Sequence, residues 1–126
     1  MVTPPLKPAA TYAAFVGQAL KALRVAEGLK QTTLAEAACL SQPTWARIER
    51  GDLPIRLGHL RLAALALRTV PSRILEVADD AAFAAAAAGI EIHLSREEQE
   101  KPDGTVTISL DAVALYVDAA IKEVFT

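Results

Sequence analysis

Several features that usually betray a protein's habitat or chemistry are scarce in this chain of 126 residues. Cysteine occurs once, at Cys39, which excludes an internal disulfide and suits a reducing compartment. Aromatic residues make up only 5%, so the core has to be thin, helical and built largely from alanine and aliphatic contacts. No apolar run approaches the roughly 20 residues that span a bilayer. The longest such block, Ala81 to Ala88, is mostly alanine and follows Asp79 and Asp80. The opening MVTPPLKPAA lacks the basic region and apolar block of a signal peptide. A cytoplasmic protein without a membrane partner is therefore expected. The chemistry of catalysis is missing as well: there is no glycine-rich phosphate loop, no nucleophile–base set and no carboxylate pair. His59 and His93 have no second histidine or cysteine at ligand spacing, so no metal, cofactor or catalytic residue is expected.

What is present is a sharp division of charge. Residues 1–75 hold ten basic side chains against four acidic ones, a net of +6. Residues 76–126 hold three against eleven, a net of −8. A polyanion would be drawn to the first part and repelled by the second, so the overall charge of −2 does not argue against nucleic-acid binding.

Along the chain, residues 1–10, with Pro4, Pro5 and Pro8, read as a flexible arm. A helical pattern starts at Thr11, with Phe15, Val16, Ala19, Leu20 and Leu23 on one face, and stops at Gly28. A second helix fits Gln31 to Ala38 and a third Gln42 to Arg50. Ser41 is placed to cap the third, Pro43 sits in its first turn where no hydrogen bond is lost, and Gly51 ends it. A fourth helix turns Leu60, Ala63, Ala64 and Leu67 inward, and a fifth runs from near Pro71 towards Ala88. The period then changes to alternation in GIEIHLS and TVTISL, separated by the polar REEQEKPDG, which reads as a β-hairpin with a solvated loop. A last helix, about Asp111 to Val124, carries an apolar stripe of Val113, Val117, Ala120, Ile121 and Val124.

The second and third helices are separated by only three residues, the spacing of a helix-turn-helix. The stretch GLKQTTLAEAACLSQPTWARIERG, residues 28–51, resembles the helix-turn-helix of the Xre/Cro family of bacterial and phage repressors. It matches the family pattern at Gly28, Leu29, Gln31, Leu34, Ala35, Ser41, Ile48, Glu49 and Gly51. Leu20 and Arg24 fall where the family's first helix has an apolar residue and an arginine, and LRLAALALRTVPSRIL resembles its closing helices. The resemblance covers about residues 11–76 and implies a mainly α, five-helix, lambda-repressor-like DNA-binding domain.

It also implies roles. Gln42, the residue after the capping serine, stands where the family reaches base edges, and its amide can both donate to and accept from adenine. Gln31 looks like the glutamine that bonds a backbone phosphate and steadies the recognition helix. Thr44 and Arg47 share a face of the third helix, with Ala46 small enough to meet a thymine methyl and Pro43 able to touch a methyl or sugar. Lys30, Thr32, Arg50 and Arg56 are placed for phosphate contacts, which give affinity and register. Arg24 and Glu49 resemble the family's internal salt bridge. Three positions depart from the pattern: Cys39 stands where glycine is usual, Trp45 replaces a small aliphatic, and Pro43 replaces a polar residue. Trp45 is expected in the core, Cys39 as a small buried residue, and Arg68 and Arg73 as solvated charges.

A lone hairpin with one apolar face is not stable in water. Residues 77–126 are therefore expected to form a helix, hairpin and helix that dimerise, for instance through a four-stranded sheet of two hairpins. The expected function is a sequence-specific transcriptional regulator, a repressor binding palindromic double-stranded DNA as a homodimer. Two alternatives stay open. One is an antitoxin that represses its own operon and binds a toxin, or another regulator, through the acidic C-terminal region. The other is an interaction module that has lost DNA binding.

Overall fold

The computed structural model describes residues 6–94 and 104–125, among which six helices and three short strands are found. Strand β1 (Lys7–Thr11) runs directly into helix α1 (Tyr12–Ala26). Helices α2 (Gln31–Ala37), α3 (Gln42–Glu49), α4 (Leu57–Ala66) and α5 (Pro71–Ala87) follow. Strands β2 (Glu91–His93) and β3 (Thr105–Thr107) precede the last helix, α6 (Leu110–Val124). None of these helices is long and apolar enough to cross a membrane.

Helix α1 is the axis of the fold. Thr11 ends the strand and caps the helix, its hydroxyl accepting from the Ala14 N–H at 3.2 Å. Every residue from Ala13 to Leu20 is buried, which means that other elements surround this part of the helix. On one side α3 crosses it at Gly17, where a Cβ would lie 2.1 Å from the Ile48 carbonyl oxygen. On the other sides α5 and α6 pack against it and each other. Helix α5 contributes Ile74, Val77, Ala78, Ala81, Ala82 and Ala85. Helix α6, capped by the Ser109 hydroxyl on the Ala112 N–H, contributes Val113, Val117, Ala120 and Val124, a stripe at helical spacing. Buried residues from Ala10 to Val124 form a single cluster, so the C-terminal helix completes the same core as the helix-turn-helix.

Two expectations need correction here. GIEIHLS and TVTISL do not pair with each other: β1 lies between them, in the order β2-β1-β3, and both pairings are parallel. The register sets Ala9 against Glu91 on one side and Thr107 on the other. Among the described residues β2 and β3 thus form no hairpin, and of the two apolar rows Ile90, Ile92 and Ile108 are half-buried while Leu94 and Val106 stay exposed. The arm is likewise not free from Lys7 onward, because Lys7–Thr11 is the central strand. Its proline is accommodated by alternation. The Lys7 N–H donates to the Gly104 carbonyl and the Ala9 carbonyl accepts from Ile108, so these residues bond towards β3. Pro8 then faces β2, where pairing starts only at Ala9, and its missing N–H interrupts no rung. Residues 1–5 of the expected arm, and the REEQEKPDG loop apart from Gly104, lie outside the described residues.

Two side-chain ties link the elements further. Arg73, expected to be simply solvated, is exposed but donates to the Val124 carbonyl at 3.0 Å and stands over the Phe125 ring, closing the end of α6. The Tyr12 hydroxyl donates to Asp79, joining α1 to α5. Burial, and then the Asp79 carboxylate beside it, push the Tyr12 phenol above its ordinary range.

Candidate nucleic-acid interface

The turn between α2 and α3 occupies four residues, 38–41. Its backbone folds back through a bond from the Leu40 N–H to the Ala35 carbonyl at 2.8 Å, a geometry that requires a left-handed residue. Cys39 supplies it with φ of 61°, at a cost on the order of 1 kcal/mol for a residue with a Cβ. The side chain is exposed, not buried as expected, because a left-handed residue at this corner points outward. His59 braces the same corner from α4, its Nδ1 2.7 Å from the Ala38 carbonyl oxygen.

Helix α3 begins as its sequence indicates. The Ser41 hydroxyl accepts from the Thr44 N–H and donates to the Thr44 hydroxyl at 2.9 Å. Its far end is held at Gly51, with φ of 77° and no room for a Cβ, which would lie 2.5 Å from the Ala14 Cα. Between these ends Trp45 and Ile48 are buried against the core.

The polar centre beneath α3 is the Glu49 carboxylate, only 2% exposed. One oxygen accepts from Arg24 Nε at 2.6 Å and from the Trp45 indole N–H at 2.6 Å. The other accepts from Arg24 Nη2 at 3.0 Å and Gln31 Nε2 at 2.9 Å. A buried carboxylate is costly unless its lone pairs are filled, and here four N–H donors fill them, two of them from one guanidinium. The expected Arg24–Glu49 pair is therefore present, and it ties α1 to α3. Trp45 is the core residue expected, and Glu49 explains how an indole is tolerated there: the ring is buried in the core while its single N–H has a partner. Two participants were not expected. Gln18, buried in α1, donates to the Glu49 backbone carbonyl at 2.7 Å, and Arg24 also donates to the Leu29 carbonyl at 2.8 Å. A lone glutamine inside an otherwise apolar stretch of α1 is the signal that would have pointed to Gln18.

From this centre a relay reaches the surface. Gln31 gives its NH2 to Glu49, which turns its oxygen outward, and that oxygen accepts from Gln42 Nε2 at 2.9 Å. The orientation of the Gln42 amide is thereby set, with its oxygen and second N–H left for another partner.

The other residues expected to contact DNA differ in how accessible they are. Pro43 and Arg47 are exposed on α3, and Thr44 and Ala46 are half-buried beside them. Lys30 and Thr32 are exposed at the start of α2, and Arg56 is exposed at the start of α4. Arg50 is also exposed, but its Nε bonds Asp52 at 3.1 Å, so it stands in an exposed ion pair. His93 lies elsewhere, in β2, with Nε2 3.0 Å from Glu91.

Residues 16–77 match the model of a helix-turn-helix domain family. Among solved structures, the clp gene regulator ClgR from Corynebacterium glutamicum is 26% identical over 61% of this chain and 81% of its own, with a TM-score of 0.56. The restriction-modification controller protein C.AhdI from Aeromonas hydrophila is 34% identical over 49% of this chain and 94% of its own, with a TM-score of 0.47. No curated protein matches the chain significantly. A helix pair braced through a buried carboxylate, inside a span with this match and this likeness to a solved regulator, places the chain in the Xre/Cro-type helix-turn-helix family of DNA-binding transcription regulators.

Proposed function

We propose that the protein is a sequence-specific repressor that binds a palindromic operator as a homodimer, with Gln42 as its principal base reader. The Glu49–Gln31–Gln42 relay carries this reading. An amide with one N–H committed inward presents a donor and an acceptor side by side, the pair that adenine N7 and N6 complement in the major groove. Thr44, Ala46, Arg47 and Pro43 then read or abut neighbouring positions. Lys30, Thr32, Arg50 and Arg56 contact phosphates, while Gln31, whose NH2 is given to Glu49, acts by orienting Gln42. Helix α4 starts at Arg56 with no side-chain cap, so its first amides are open to the same anion. Repression is the mode that the family resemblance implies.

Dimerisation follows from the operator geometry, since two half-sites about one helical turn apart need two-fold symmetry. Exposed apolar side chains on α4 and the loop after it support this reading. Leu62, Leu65 and Val70 are exposed there, on the element that braces the helix-turn-helix.

Selection from random DNA tests the reading. Enriched inverted repeats are expected, and single half-sites or no enrichment would overturn it. On the selected site Gln42→Ala should cost about 1–3 kcal/mol and leave non-specific DNA unaffected. Arg50→Ala should weaken all DNA and lower the salt slope. Equal losses on cognate and random DNA for Gln42→Ala would remove it from the readers.

A further inference from the structure

On the opposite flank of the molecule a bulky aromatic side chain lies almost wholly in water. Phe83 of α5 is 80% exposed, and Leu115 of α6 is 71% exposed. Phe83 forms a ridge between two grooves. One, of about 320 Å³, runs between α5 and α6 and is lined by Asp80, Tyr116 and Glu123 over a floor of alanines. The other, of about 500 Å³, lies towards β2 and includes Asp79, Asp80 and Ile92. Among the described residues neither groove is lined by a basic side chain; Lys122 of α6 lies outside both.

We propose that this face is a docking surface for a basic segment of another protein, one that carries an apolar side chain flanked by lysine or arginine. The apolar side chain would lie against Phe83 and Tyr116, removing them from water, while the flanking cations meet Asp80 and Glu123. Charge selects this occupant over a two-fold copy of the same face, whose described groove lining offers the carboxylates of Asp79, Asp80 and Glu123 and no cation to meet them. DNA is excluded from this face for the same reason. The surface lies on α5 and α6, away from the relay on α2 and α3, so the inference does not depend on how the operator is read.

Phage-displayed random peptides selected on the immobilised full chain, with excess non-specific DNA covering the basic half, would test it. The expected peptides carry an aromatic or aliphatic residue within four positions of lysine or arginine. A synthetic representative should bind more weakly as salt rises. It should lose tenfold or more in affinity to Phe83→Ser and to the Asp80→Lys, Glu123→Lys double variant. Phe83 is 80% exposed, so Phe83→Ser should keep the thermal midpoint and the DNA affinity, which verifies folding. Peptides without basic residues, no enrichment, or binding indifferent to Phe83→Ser would overturn the proposal. So would a dimer by sedimentation that Phe83→Ser converts to monomer, because the occupant would then be a second copy.

Discussion

Helix α1 joins two parts of the molecule in different ways. Towards α3 it uses directed polar bonds, from Arg24 and Gln18 to Glu49, and a glycine crossing with no spare volume. Towards α5 and α6 it uses, apart from the single Tyr12–Asp79 bond, alanines, valines and an isoleucine, whose attraction depends on area and hardly on angle. The first junction must hold a helix at one orientation against a ligand with fixed geometry. The second has only to be filled. Bonds with a preferred direction are concentrated where orientation matters for DNA, and inexpensive apolar contact is used elsewhere.

The largest effect that would break this comparison is expected from Glu49→Ala. It leaves the Arg24 guanidinium, the Trp45 N–H and Gln31 without their shared acceptor, which should cost about 3–5 kcal/mol in chemical denaturation. The protein that remains folded should bind all DNA more weakly. A loss of under about 1 kcal/mol would put the centre on a par with an exposed ion pair. Next in size, Ile74→Val in the apolar junction should cost about 1 kcal/mol and leave operator affinity unchanged. A fall in affinity would show that packing around α5 also steers α3. The smallest change sharpens the comparison from the other direction: Cys39→Gly should raise stability by at most about 1 kcal/mol, since glycine carries no left-handed penalty. A loss in the same denaturation assay would show that the Cys39 side chain supports the turn.

The parts of this fold legible in the sequence are those encoded over short distances. Helix caps, the short turn between α2 and α3 and the apolar stripe of α6 each depend on residues a few positions apart. The Arg24–Glu49 pair was legible because both residues match a known pattern. The relay through Gln31 to Gln42 was only half legible: each glutamine stood out, but their mutual bond depends on how far apart α2 and α3 settle. The sheet was misread because two alternating segments around a turn signal look like a hairpin. Nothing local distinguishes an antiparallel pair from two strands that each accept a third between them. That third strand was concealed by Pro8, whose register alone makes it compatible with a central position.

The placement of that strand also bears on how the protein is made. Lys7–Thr11 leaves the ribosome ahead of every helix, yet its partner β3 is synthesised only after α5 and β2. Until then its β3-facing edge has no neighbour, and α1 lacks the cover that α6 provides. Final closure must bring together nearly the two ends of the described chain, the kind of long-range contact that slows folding. The helix-turn-helix is complete well before that moment, so a nascent chain could hold its reading head in shape while its base is still open.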